Sequence, residues 1–168
     1  MPFKLLVMGV SGCGKSTVAA GLAGALGVAL IEGDDHHLPQ SQDKMRRGIA
    51  LTDADREPWL DQLGVLLADA QGGVVLTCSA LRRRYRDRLR AAEPALQIVF
   101  IEISPEEARA RVAARASHFF PASLVANQFD ALESPLGEPG VLPVDATWTI
   151  EAQCDAVLRW LAPAPSHS

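Results

Sequence analysis

The sequence predicts a three-layer α/β domain, with a five-stranded parallel sheet and helices on both faces. Three observations predict it. Short runs of nearly unbroken apolar residues recur along the chain, as in strands covered on both sides. Segments with apolar residues at helical spacing separate these runs. The first run also leads through a glycine-rich turn directly into the first helical segment.

The elements follow in order. Lys4 to Met8 (Lys-Leu-Leu-Val-Met) is a short buried strand ending in glycine, and Ser16 to Leu26 is the first helix. Val28 to Glu32 is a second strand. Thr52 or Asp53 caps a helix through Trp59 and Leu63 towards Ala70, which Gly72-Gly73 ends. Gly73 to Cys78 is the third strand, and Arg82 to Ala92 is a basic helix stopped before Pro94. Gln97 to Ile103 is the fourth strand. Ser104-Pro105-Glu106-Glu107 then supplies an N-cap serine, a first-turn proline and a capping-box glutamate. His118-Phe119-Phe120-Pro121 interrupts the helical pattern, which resumes around Gln128. This helix, bend, helix order predicts a lid over about residues 111–130. Val141 to Asp145 is a weaker fifth strand, Ile150 to Leu161 the last helix, and 163–168 a frayed tail. Neither repeat nor linker divides the chain, so residues 1–168 are expected to form a single domain.

Composition narrows the function. The chain has 168 residues, 48% of them apolar, enough for a real core. Sixteen Lys and Arg stand against 20 Asp and Glu, a net charge of −4, which argues against a nucleic-acid partner. No apolar stretch approaches the roughly 18–20 residues of a membrane helix, so no membrane partner is expected. The N-terminus carries no secretory cleavage pattern. Cys13, Cys78 and Cys154 are odd in number and widely spaced. They argue against a disulfide framework or a structural zinc site and suit a cytoplasmic location.

Gly9-Val10-Ser11-Gly12-Cys13-Gly14-Lys15-Ser16 fits G-x-x-x-x-G-K-[ST] at every fixed position, between a strand and a helix. Glycines let successive backbone N–H groups face phosphate oxygens, and the helix start adds positive potential. Lys15 is expected to reach the β- and γ-phosphates of ATP. Ser16 is expected to ligate Mg²⁺, with Thr17 behind it. Cys13 is read as a small residue filling the loop, with oxidative inactivation as the alternative.

Ligands of an open parallel sheet bind beyond the carboxyl ends of its strands. After the second strand come Glu32-Gly33-Asp34-Asp35-His36-His37, with Asp34 the candidate base for an acceptor hydroxyl. The third strand ends without an aspartate, so support for the metal, through water, falls to Asp34 or Glu32. Arg82 and Arg86, one turn apart near the sheet's carboxyl edge, are read as ligands for an anionic acceptor. Arg83, Arg84, Arg88 and Arg90 are read as a solvated basic face. Arg111 and Arg115 share a face of the lid helix and would neutralise transferring charge, unless they form ordinary surface ion pairs with residues such as Glu107.

Several further segments carry a resemblance: Gly33-Asp34 with His37, Lys44-Met45, Leu51 to Leu60 (Leu-Thr-Asp-Ala-Asp-Arg-Glu-Pro-Trp-Leu), Cys78-Ser79-Ala80-Leu81, Tyr85-Arg86-Asp87, His118-Phe119-Phe120 and Gln128-Phe129. With the phosphate loop, and in this order, they make the chain resemble the bacterial-type gluconokinases of the shikimate-kinase-like P-loop kinases. The resemblance implies phosphorylation of D-gluconate at its 6-hydroxyl by MgATP, a mobile lid and a homodimer. It also implies that Asp34 faces the acceptor hydroxyl and that Arg56 binds the acceptor. His37, Ser79, His118 and Gln128 could meet the hydroxyls of a flexible anionic polyol. The chain departs from the family pattern at Glu32 (aspartate expected), Asp35, His36 and Arg82 (lysine expected), changes that could move the preference among sugar acids. Two rivals remain at this level: a kinase for shikimate or a nucleoside monophosphate, and a nucleotide-dependent regulatory protein without an acceptor.

Overall fold

The computed structural model describes residues 3–114 and 123–162. Its five strands are β1 (Lys4–Met8), β2 (Ala29–Glu32), β3 (Val74–Thr77), β4 (Gln97–Glu102) and β5 (Val141–Asp145). They pair in the order β2-β3-β1-β4-β5, every neighbour parallel. The α-helices among the described residues are α1 (Lys15–Leu26), α2 (Pro39–Arg46), α3 (Asp53–Asp69), α4 (Arg83–Ala92), α5 (Pro105–Ala114), α6 (Ser123–Ala131) and α7 (Ile150–Leu161). None is long and apolar enough to cross a membrane.

The layers explain why the strands read as unbroken apolar runs. Leu5 and Val7 of β1 pack with Val18 and Leu22 of α1 and Val157 and Leu161 of α7. Leu6 and Met8 pack on the opposite face with Trp59, Leu60, Leu63 and Leu67 of α3 and Leu89 of α4. Successive strand residues serve opposite layers, so both parities must be apolar. Each such buried leucine contributes about 1.5–3 kcal/mol. A third cluster joins Val10 of the loop after β1 and Leu81 after β3 to Ala108 and Val112 of α5 and Val125 of α6. It holds α5 and α6 over the carboxyl edge of the sheet.

Register gathers the site. Glu32 of β2 and Val7 of β1 both stand opposite Thr77 of β3. The three chain segments leaving these strands therefore emerge side by side, next to the phosphate loop. Observed element bounds lie within about a residue of those expected from pattern. α4 begins at Arg83 with Arg82 as its N-cap. α2 was not expected, because its only buried residue is Ser41 and it has no apolar stripe. Thr52 caps α3 as expected: its side chain accepts from Asp55 N at 3.1 Å, and the Asp55 carboxylate accepts from Thr52 N at 2.8 Å. α5 and α6 bracket residues 115–122. Arg115, the expected bend at His118 to Pro121 and the tail at 163–168 all lie outside the described residues.

Candidate active site

The loop from Gly9 to Ser16 leaves β1 and enters α1. Gly12 adopts φ +86°, and a Cβ there would press to 3.1 Å on the Ala108 carbonyl oxygen, so only glycine fits under α5. Lys15 lies across the loop, its Nζ donating to the carbonyls of Gly9 at 2.9 Å and Val10 at 3.2 Å. Ser16 Oγ donates to Glu32 Oε2 at 3.0 Å, and Thr77 Oγ1 donates to the same oxygen at 2.6 Å. Thr77 thus stands where a strand-end carboxylate could have been, and β2 supplies the carboxylate instead. A hydroxyl backed by a carboxylate is the hard oxygen donor set that suits Mg²⁺. Thr17 is exposed beside Ser16. The Cys13 thiol is buried against Gly9, at 1% exposure for the residue, which places it as a filler out of reach of a solution oxidant.

After β2 the chain makes a 3-10 turn, Gly33–His36. Gly33 N donates to Thr77 Oγ1 at 3.3 Å, and a Cβ at Gly33 would overlap the Thr77 carbonyl oxygen. Trp59 of α3 donates Nε1–H to the Gly33 carbonyl at 2.7 Å. The His37 ring stacks on Trp59 with centroids 3.9 Å apart. Its Nε2 lies 3.4 Å from Asp34 Oδ1, and its Nδ1 is buried without a partner among the described residues. Asp34 itself keeps a side chain 67% exposed on the cavity. Partial burial pushes its carboxyl up, but the His37 hydrogen bond and the charges of Lys15 and His37 outweigh that and hold it below its usual range. The result is an ionised carboxylate on a rigid turn. Burial and the Asp34 charge push the Cys78 thiol up to about 12, so it stays neutral within the core.

Beyond Asp34 opens a cavity of about 510 Å³, within the size range of small-ligand sites. Asp34, His37, Arg56, Ser79, Arg82 and Gln128 all line it. Ser11 of the phosphate loop lines it too, so nucleotide and cavity share a wall. Arg56 Nη1 donates to the Leu51 carbonyl at 2.7 Å and to Tyr85 Oη at 3.4 Å. The Arg56 and Arg84 guanidinium groups sit 5.4 and 5.7 Å from the Tyr85 ring centroid. Tyr85 Oη donates to Asp53, which also pairs with Arg84. The Tyr85 hydrogen bond, helped by the nearby arginines, holds Asp53 below its usual range. Among the described residues no carboxylate pairs with Arg56 or Arg82, so both have charge to offer an anionic ligand.

Three arginines differ from expectation, and Arg90 of the expected solvated face is one: its side chain is mostly buried and pairs with Glu138 at 2.9 Å. Arg86 is fully buried and does not line the cavity. Its guanidinium holds Glu138 at 2.6 and 3.1 Å, the Ala80 carbonyl at 2.8 Å and the Glu133 carbonyl at 2.8 Å. It is therefore a clamp and not an acceptor ligand. The clamp secures Ala80, which adopts φ +47° between the cavity residues Ser79 and Leu81. Arg84, expected on the solvated face, lines the cavity instead. Asp53 and Tyr85, which the sequence placed only within the family-like segments and gave no site role, also line the cavity, and Asn127 was missed. Arg111 makes the surface pair with Glu107 at 3.0 Å, yet its Nη1 also reaches the phosphate-loop carbonyls of Gly12 at 3.3 Å and Cys13 at 3.5 Å. Its Nη2 donates to Ala146 at 3.0 Å, so it adjoins the loop from the α5 side. Arg115 and His118 lie outside the described residues.

A phosphate loop that shares a wall with an arginine-lined cavity and an ionised carboxylate is the architecture of a small-molecule kinase. A family model described as AAA domain matches residues 5–139. A gluconokinase from Gluconobacter oxydans is 45% identical over 163 residues, spanning 95% of this chain and 89% of its own. The chain belongs to the gluconokinase family. The crystal structure of a gluconokinase from Sinorhizobium meliloti superposes with a TM-score of 0.87 at 43% identity, covering 94% of this chain and 90% of that one. An unliganded sugar kinase from a Janibacter species superposes with a TM-score of 0.91 at 38% identity, covering 99% and 100%. These likenesses span nearly the whole chain.

Proposed function

We propose that this chain transfers the γ-phosphoryl group of ATP to the 6-hydroxyl of D-gluconate. The observation that carries the reading is the shared cavity: the phosphate loop and Asp34 meet it, and Arg56 and Arg82 face it with uncommitted charge. Gluconate is a polyol with one carboxylate, which those arginines suit. Ser79 and Gln128 offer hydrogen bonds to its hydroxyls.

In the mechanism we favour, the loop N–H groups and Lys15 hold the ATP phosphates, and Lys15 leaves its carbonyl partners to do so. Ser16, with Glu32 behind it, would hold Mg²⁺, which would supply positive charge against the phosphates. Asp34 accepts a hydrogen bond from the primary hydroxyl, aims its oxygen at the γ-phosphorus and takes the proton as the new P–O bond forms and the bond to ADP breaks. His37, buried under Trp59, keeps Asp34 oriented. Arg111 adds positive charge beside the loop, and Arg115 and His118 are proposed to join from the segment between α5 and α6. We place the enzyme in the cytoplasm as a homodimer, twice the 18.0 kDa chain.

Phosphorus NMR of the product tests the reading. Transfer to the primary hydroxyl gives a monoester signal split into a triplet by the two methylene protons. A doublet, from a phosphate on a secondary carbon, or no ester at all would contradict it.

A further inference from the structure

One contact joins the two halves of the site directly. Ser11 N donates to Gln128 Oε1 at 2.6 Å, across 117 positions of sequence. Ser11 belongs to the phosphate loop, whose N–H groups serve to hold phosphate oxygens. Gln128 sits on α6 and lines the acceptor cavity, as does Ser11 itself. The loop amide nearest the acceptor is therefore already satisfied by a side-chain oxygen of the chain.

We propose that Gln128 is a placeholder for the γ-phosphate that couples the two substrates. Its carboxamide oxygen occupies the Ser11 N–H until a nucleoside triphosphate brings an oxygen of its own. Displaced, the carboxamide turns to the neighbouring cavity and binds an acceptor hydroxyl. Its donor and acceptor atoms allow both tasks without any change of protonation. Nucleotide loading then prepares the acceptor site, and the same coupling must act in reverse. Lys15 has a parallel arrangement, its Nζ resting on the Gly9 and Val10 carbonyls, so loop and cation are both internally satisfied before nucleotide arrives. This inference rests on the kinase reading above, and its second half also on gluconate as acceptor.

The test uses the full chain and the variant Gln128→Met, which keeps the volume and removes the oxygen, with Gln128→Ala as a second variant. Calorimetric titration compares a non-hydrolysable Mg-ATP analogue with MgADP, which lacks the γ-phosphate. A net hydrogen bond corresponds to roughly 2–12-fold in affinity. We expect both variants to bind the triphosphate analogue tighter by a factor in that range, with MgADP unchanged. Gluconate affinity should rise on addition of the analogue in the parent and not in the variants. Unchanged triphosphate affinity, or an equal change for both nucleotides, would overturn the placeholder. A gluconate affinity that responds to the analogue equally in parent and variants would overturn the coupling. Failure of gluconate to bind any form would count against the acceptor reading, while the two nucleotides still decide the placeholder.

Discussion

Asp34 shows how much a single side chain's role depends on what stands behind it. Its carboxylate is exposed to the cavity, yet its turn is fixed by Gly33 against Thr77 and by Trp59 on the Gly33 carbonyl. Asp34→Asn keeps the shape and removes the base. It should lower kcat by roughly 10²–10⁴, with gluconate KM little changed, and steady-state kinetics at saturating MgATP checks this. The charge state of Asp34 gives a second prediction. His37 and Lys15 hold its pKa down in the free enzyme, so the acid limb of kcat/KM should lie below the ordinary carboxylate value. His37→Phe keeps the stack on Trp59 and removes the hydrogen bond, so the Asp34 pKa should rise and the limb move to higher pH. A pH profile of kcat/KM measures it, and an unmoved limb would detach His37 from Asp34.

Two helix starts carry the element scale. The start of α3 is closed by the Thr52–Asp55 capping box, and Lys44 of α2 adds an ion pair to Asp55 at 2.9 Å. Thr52→Ala should cost about 0.5–2 kcal/mol of stability, read by denaturant titration. The Thr52 backbone N–H, then Lys44, lower the Asp55 pKa from 3.8 to about 2. A carboxyl lowered on folding stabilises fully above its unfolded value. The stability gap between parent and Asp55→Asn should therefore hold at neutral pH, start to close as pH falls below 3.8 and vanish through about 2. The start of α4 separates two arginines that look alike in sequence. Arg86→Ala leaves buried Glu138 with Arg90 as its remaining partner and strips the Ala80 and Glu133 carbonyls of their donor, which should cost about 1–3 kcal/mol of stability. Arg82→Ala should leave stability nearly intact and raise gluconate KM by roughly 10–150-fold, the loss of one charge-assisted hydrogen bond. Thermal melts and KM values on both variants distinguish clamp from ligand.

At the scale of the molecule, what could be read from sequence was what is encoded locally. The phosphate loop, the strand ends, the α3 cap and the Ser104-Pro105 start of α5 each lie within a few consecutive residues, and each formed where its pattern placed it. Asp34, Ser79 and Arg82 reach the cavity because parallel strands bring their carboxyl ends together, a rule that needs only element order, whereas Arg56 reaches it from α3. Arg86 was misread because its partner Glu138 lies 52 residues away and nothing near Arg86 announces it. Arg84 escaped because Asp53 and Tyr85 draw it into the cavity wall through contacts between α3 and α4. α2 escaped because a polar helix lying over the site carries no apolar period. The Ser11–Gln128 contact is tertiary throughout, joining the first loop to a helix near the end of the cavity wall.

The most direct test of the account is acceptor-stimulated ADP release with MgATP, measured by a coupled assay across gluconate, related sugar acids, shikimate and nucleoside monophosphates, beside a control with no acceptor. The account predicts strong stimulation by gluconate, weak release without acceptor and no response to shikimate or nucleotides. ATP binding with no stimulation by any acceptor would contradict it, and stimulation by a nucleoside monophosphate in place of gluconate would contradict the assignment of Arg56 and Arg82 to a sugar acid.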